Sequence, residues 1–121
     1  MRHKNVLIKC KNGTTNVAMH QIEFVEYQDH ALLFHLNDGR QITSRAIPES
    51  FSKVIENTLD DSRFIKPHAS YAVNMDYILS IQAYDFMMAS GAQVPISKRI
   101  YSQVKQQFVD YKTNRTDTVV L

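Results

Sequence analysis

At 121 residues, with 44% hydrophobic residues and a formal charge of +2, the chain suits one domain with its own core and has no room for two of full size. A single cysteine, Cys10, excludes an intrachain disulfide framework and a cysteine-rich zinc site. The longest apolar runs, Ala31 to Phe34 and Phe86 to Ala89, fall far short of the roughly 18–20 residues that span a bilayer.

Taken in order, Met1-Arg2-His3-Lys4 leads straight into an alternating segment, without the apolar stretch of about 7–15 residues that marks a secretory signal, so the cytoplasm is the expected compartment. Val6, Ile8 and Cys10 alternate with Leu7, Lys9 and Lys11, and Asn12-Gly13 turns the chain toward Val17, which predicts a β-hairpin. Gln21 to Tyr27 places Ile22 and Phe24 opposite Glu23 before Val25 breaks the alternation, and Gln28 to His30 reads as an exposed loop. Ala31 to Leu36, a turn at Asn37-Asp38-Gly39 and the segment Arg40 to Arg45 predict a second hairpin.

Pro48-Glu49 suits the first turn of a helix, and Phe51, Val54, Ile55 and Leu59 form one apolar stripe over about ten residues. Asp60-Asp61-Ser62 ends that helix. Phe64 to Pro67 and Ser70 to Val73 are short extended pieces, and Tyr77 to Ala83 predicts a strand with Tyr77, Leu79 and Ile81 on one face and Ile78 and Ser80 on the other. Ser90-Gly91-Ala92 closes a hairpin between Asp85 to Ala89 and Gln93 to Ile96. Ser97 is the expected N-cap of a last helix carrying Ile100, Tyr101, Val104, Phe108 and Tyr111 on one side. The domain is expected to span residues 5–111, with 112–121 a polar, flexible tail.

The charge is unevenly distributed. Residues 1–12 hold Arg2, Lys4, Lys9 and Lys11 with no acid, residues 98–121 hold five bases against Asp110 and Asp117, and the stretch between is acidic. Two basic ends on one face would suit a phosphate-binding module, and the same charges also suit solvated strands and helices. Lys98 and Arg99 fall at the start of the last helix, against the helix dipole, a placement that invites an anion.

Sites of enzymatic chemistry find no support. The five histidines, His3, His20, His30, His35 and His68, form no metal-ligand spacing; three glycines are too few for a phosphate-cradling loop; no serine lies in a nucleophile elbow. Cys10 occupies an inward strand position and reads as a small core residue. No enzyme activity, metal or cofactor is therefore expected.

Three stretches carry a resemblance. The run Ile22-Glu23-Phe24-Val25-Glu26-Tyr27-Gln28-Asp29-His30 into Leu33-Phe34-His35-Leu36-Asn37-Asp38-Gly39, the block Arg63-Phe64-Ile65-Lys66-Pro67-His68-Ala69-Ser70-Tyr71-Ala72-Val73-Asn74, and the junction Val94-Pro95-Ile96-Ser97-Lys98-Arg99-Ile100-Tyr101 resemble, in this order, the LytTR DNA-binding domain. The resemblance implies a mostly β fold, with short antiparallel strands in small sheets, one short central helix and a C-terminal helix. It also implies a bacterial transcription regulator, often linked to a phosphorylated receiver domain, that places loops in successive major grooves. By motif position, the first and third family DNA contacts fall on His30 and Arg99, with Lys98 suited to a phosphate; the second falls on Ala69, which offers neither charge nor hydrogen bond. The expected partners are double-stranded DNA with repeated sites, a second copy of the domain on that DNA, and a receiver domain or regulatory partner protein, with no membrane. A protein-interaction module of the same fold that has weakened or lost DNA binding is the alternative.

Overall fold

The structure, a computed structural model, describes residues 4–115 and 117–121, with the side chain of Thr58 left out. Arg2 and His3 of the basic amino-terminal run, and Thr116 of the tail, lie outside the described residues. The chain folds as a five-stranded antiparallel sheet with a layer packed on each face. The first layer begins with a hairpin of β1 (Asn5–Cys10) and β2 (Gly13–Ala18), in register from Asn5 opposite Ala18 to Cys10 opposite Gly13. Alternation sends Val6 and Ile8 inward and leaves Leu7 exposed, and Cys10 packs half-buried at the rim of the core.

The central sheet comprises β3 (Ile22–Gln28), β4 (Ala31–Leu36), β5 (Gln41–Thr43), β6 (Phe64–His68) and β7 (Tyr71–Asn74), in the order β5-β4-β3-β7-β6. β3 lies in the middle, and this position explains its broken alternation. Ile22 faces Leu36 and Phe24 faces His35, so one surplus residue, Glu23, makes a β-bulge and switches the parity of the strand. Ile22 and Val25 join the core beneath β1, β2 and the first helix, whereas Phe24 joins the core on the opposite face. Glu23 itself is 2% exposed and accepts the Ser90 N–H at 3.1 Å.

Helix α1 (Phe51–Thr58) begins three residues later than Pro48 because Ser50 caps it, its Oγ accepting the Lys53 N–H. Residues 48 and 49 instead finish a strap whose Ile47 N–H donates to the His30 carbonyl at 2.8 Å. The expected stripe is present: Phe51, Ile55 and Leu59 are buried and Val54 half-buried, all in the first core with Leu32, Phe34 and Leu36. On the other face, β8 (Ile78–Gln82), β9 (Asp85–Met88) and β10 (Gln93–Pro95) form a three-stranded sheet in the order β10-β9-β8. β8 differs from the expected pattern. A register shift between Ile78 and Ser80 ejects Leu79, which is 71% exposed, and turns Ile78 inward.

Helix α2 (Tyr101–Arg115) covers that sheet with Val104 and Tyr111 buried and Tyr101 and Phe108 partly so, and Ile100 just ahead of it is also partly buried there. Its entry also differs from expectation. The Ser97 hydroxyl caps nothing; Lys98–Ile100 form a 3₁₀ turn closed by the Ile100 N–H on the Ser97 carbonyl, and the helix starts after it. Lys98 and Arg99 thus lie in the turn ahead of α2. Polar locks hold the layers: Asn74, fully buried, donates Nδ2–H to the Ile22 carbonyl and accepts the Asp76 N–H, while the Tyr111 hydroxyl donates to Asp76 Oδ1 at 2.7 Å. These bonds link β3, β7 and α2, with Asn74 fully buried and Asp76 at the surface.

Candidate nucleic-acid interface

Three short connections meet at one end of the central sheet, and strand direction puts them there. β3 runs toward this end and closes on β4 through Asp29-His30 alone, because Gln28 pairs with Ala31. Both turn residues take left-handed conformations, φ 51° and 64°, so the hairpin has the primed type of turn that matches strand twist. His30 is exposed at its tip. Its Nδ1 lies 3.2 Å from the Tyr27 hydroxyl, and the Tyr27 ring packs in turn on Phe51 at 5.6 Å between centroids. One ring nitrogen is engaged by the scaffold, which leaves Nε2 for other chemistry.

β6 and β7 join at the same end through Ala69-Ser70, between the paired residues His68 and Tyr71. His68 Nδ1 accepts the Ser70 N–H at 3.1 Å and its ring meets Tyr71 edge-on, so His68 stiffens the turn while Ala69 is exposed at its tip. The Tyr27 N–H donates to the Ser70 carbonyl at 2.8 Å, which ties this turn to the one bearing His30. The third connection follows β10. The Ser97 N–H donates to the Pro67 carbonyl at 2.9 Å, beside the Ala69 turn, and Lys98 and Arg99 come next, both exposed.

The structure therefore brings His30, Ala69, Lys98 and Arg99 to one end through two backbone hydrogen bonds. Among the described residues neither Lys98 nor Arg99 takes part in an ion pair, in contrast to Arg40 on Asp38, and Arg63 and Lys4 on Asp61. The Lys98 ammonium instead sits 5.1 Å from the centre of the Tyr84 ring. Nearby, Lys66 lays its ammonium 5.7 Å from the Phe51 ring, and burial pushes its pKa down. Glu26 is occupied by His35 Nε2 at 2.9 Å; Asp29, in the His30 turn, is an exposed acid. Such an end offers a fixed imidazole, a guanidinium fork and localised cations, a set suited to base edges and phosphates. The supporting residues Tyr27, Lys66 and Tyr84 carry no sequence signal of this role, because it depends on which side chain each one meets across the fold. Among the described residues, no group of three or more His, Cys, Asp or Glu could hold a metal ion, and no helix is long and apolar enough to cross a membrane.

Comparison with known proteins gives the same picture. The sensory transduction protein LytT of Bacillus subtilis (strain 168) is 38% identical over 58 residues, covering 44% of this chain and 24% of that protein. The chain thus spans about a quarter of that relative's length. A LytTr DNA-binding domain from Bacillus cereus superposes with a TM-score of 0.67 at 22% identity, covering 87% of this chain and 95% of that one, and so shares the fold. The family model of the LytTr DNA-binding domain matches residues 12–109, which include all three connections described above, and the chain belongs to the LytTR family of DNA-binding domains.

Proposed function

We propose that the domain binds double-stranded DNA sequence-specifically, with residues 5–111 as the binding unit and the turns of His30 and Arg99 entering the major groove. The observation that carries this reading is the tethering of three connections at one end by Tyr27 on Ser70 and Ser97 on Pro67. Arg99 reads guanine through a bidentate fork, His30 reads a base through Nε2, and Lys98 neutralises a phosphate. The chain has no catalytic role and needs no metal or cofactor. It acts in the cytoplasm as the output domain of a bacterial response regulator, controlled by a receiver domain or a regulatory partner protein. A small reader of short sites gains specificity from a second copy, so repeated sites are its targets.

The test is selection from random duplex DNA at two salt concentrations, with Arg99→Ala and His30→Ala alongside. A repeated motif should be enriched, and Arg99→Ala should relax one base position by about 5- to 150-fold, the equivalent of about 1–3 kcal/mol. Exposed Ala69, which can add no polar contact, favours a second reading as a protein-interaction module. No enrichment, or weak binding untouched by both substitutions, would overturn the first reading and make a search for a protein partner the test of the second.

A further inference from the structure

A fourth connection reaches the same end. β8 and β9 close through Ala83-Tyr84, since Gln82 pairs with Asp85. The Ile96 N–H donates to the Tyr84 carbonyl at 2.7 Å, and the next N–H, of Ser97, goes to Pro67. Two consecutive residues therefore fasten the junction to the Tyr84 turn on one side and to the Ala69 turn on the other. The two residues after them are Lys98 and Arg99.

Backbone conformation groups this turn with that of His30. Among the described residues, the non-glycine positions with positive φ are Asp29, His30 and Ala83, and all three lie at this end. At the opposite end, the turns between β4 and β5 and between β9 and β10 use Gly39 and Gly91, at φ 90° and 95°; the β1–β2 turn, in its separate hairpin, uses Gly13, at φ 151°. A Cβ at Gly39 or Gly91 would meet nothing within 4 Å, so space does not dictate the choice there. Glycine relaxes a left-handed turn at the cost of stiffness, whereas alanine at φ 52° restricts the chain and holds the residue beside it. That neighbour is Tyr84, 45% exposed, its ring packed edge-on against Tyr101 at 4.9 Å.

We propose that the Ala83-Tyr84 turn is a fourth element of the DNA interface and that Tyr84 is a positioning residue, its ring face holding the Lys98 ammonium where a phosphate docks. The inference rests on the DNA-binding reading of Lys98. A carboxylate would hold a lysine equally well and cancel its charge, as Asp61 and Asp38 do for their partners. A ring face orders the ammonium and leaves the charge available, which is what phosphate neutralisation requires. Ahead of the positive end of α2 a carboxylate would also be the electrostatically favoured partner, so an aromatic partner there answers a need for free charge.

The test measures duplex affinity against salt for the selected site with Tyr84→Ala, Tyr84→Leu, Tyr84→Phe, Lys98→Ala and the Tyr84→Ala/Lys98→Ala double variant, each checked by thermal melting. Tyr84→Leu keeps apolar packing on Tyr101 and guards against a mere folding defect. The Ala and Leu variants and Lys98→Ala should each lose about 2- to 5-fold in affinity and lower the log-log salt slope by about 0.9, with the double variant no worse than Lys98→Ala. Tyr84→Phe should keep the native slope. Additive losses in the double variant, or a native slope in Tyr84→Ala, overturn the inference. If Arg99→Ala and His30→Ala abolish sequence preference while every Tyr84 and Lys98 variant binds normally, base reading by Arg99 and His30 stands, and the phosphate role of Lys98 fails together with this inference. If the native domain binds no duplex, both fail.

Discussion

Asp61 should govern the acid limb of stability. Its carboxylate accepts Arg63 Nε–H and Nη2–H at 2.9 and 3.0 Å and the Arg63 backbone N–H at 3.0 Å, with Lys4 Nζ at 3.7 Å, and its side chain is 9% exposed. The guanidinium of Arg63 first, then the backbone N–H and the charges of Arg63 and Lys4, hold its pKa at about 2 against the raising effect of burial. The ordinary value is 3.8. A depressed carboxylate contributes stability that is complete above the unfolded value and lost as pH falls through the folded one, so the window lies between about pH 4 and pH 2. At about 1.36 kcal/mol per tenfold change the interval corresponds to about 2 kcal/mol. Asp61→Asn should therefore unfold in urea with a stability about 2 kcal/mol lower at pH 7, and the gap to the native chain should close as pH is lowered from 4 to 2. A gap that is absent at pH 7, or that persists undiminished at pH 2, would refute the reasoning.

Asn74→Ala strands the buried Ile22 carbonyl and the Asp76 N–H, and should cost about 2–4 kcal/mol in chemical denaturation. Ala83→Gly relieves the left-handed conformation and should raise stability by up to about 1 kcal/mol, seen as a few degrees in Tm, whereas Ala83→Val should lower it. Burial, followed by the hydrogen bond to Asp76 and its charge, pushes the Tyr111 pKa up to about 12. A raised value means that stability is complete below pH 10 and lost as pH rises toward 12; in an ultraviolet titration Tyr111→Phe should remove the last tyrosine to ionise.

The apolar periodicities disclosed most of the fold. Val6 and Ile8 in β1, the stripe of α1 and the face of α2 are where spacing put them, because each of those elements buries a single side. The failures are equally physical. β3 and β8 carry bulges at Glu23 and Leu79, and a bulge reverses the alternation from which a face is read. Ser97 had the right chemistry for a cap, yet a 3₁₀ turn at Lys98–Ile100 separates it from α2 and its hydroxyl caps nothing. Of the proposed contacts, Lys98 and Arg99 were marked by their place ahead of the last helix and His30 only by the family resemblance, since no spacing rule foretells that separate turns converge. Tyr27 and Tyr84 were hidden for a related reason: their value lies in the side chain each one touches.

The surplus residue in β3 also governs which changes in chain length the domain can absorb. One strand feeds two separate cores only because Glu23 offsets Ile22 from Phe24. Deleting Glu23 would hand Ile22 to the wrong layer and deliver the whole amino-terminal hairpin to the opposite side of the sheet, damage beyond any replacement of its side chain. Length variation is therefore tolerable at the glycine turns near Gly39 and Gly91, far from the converging connections, and intolerable in the first turn of residues of β3, where a single peptide unit acts as the joint between two insides.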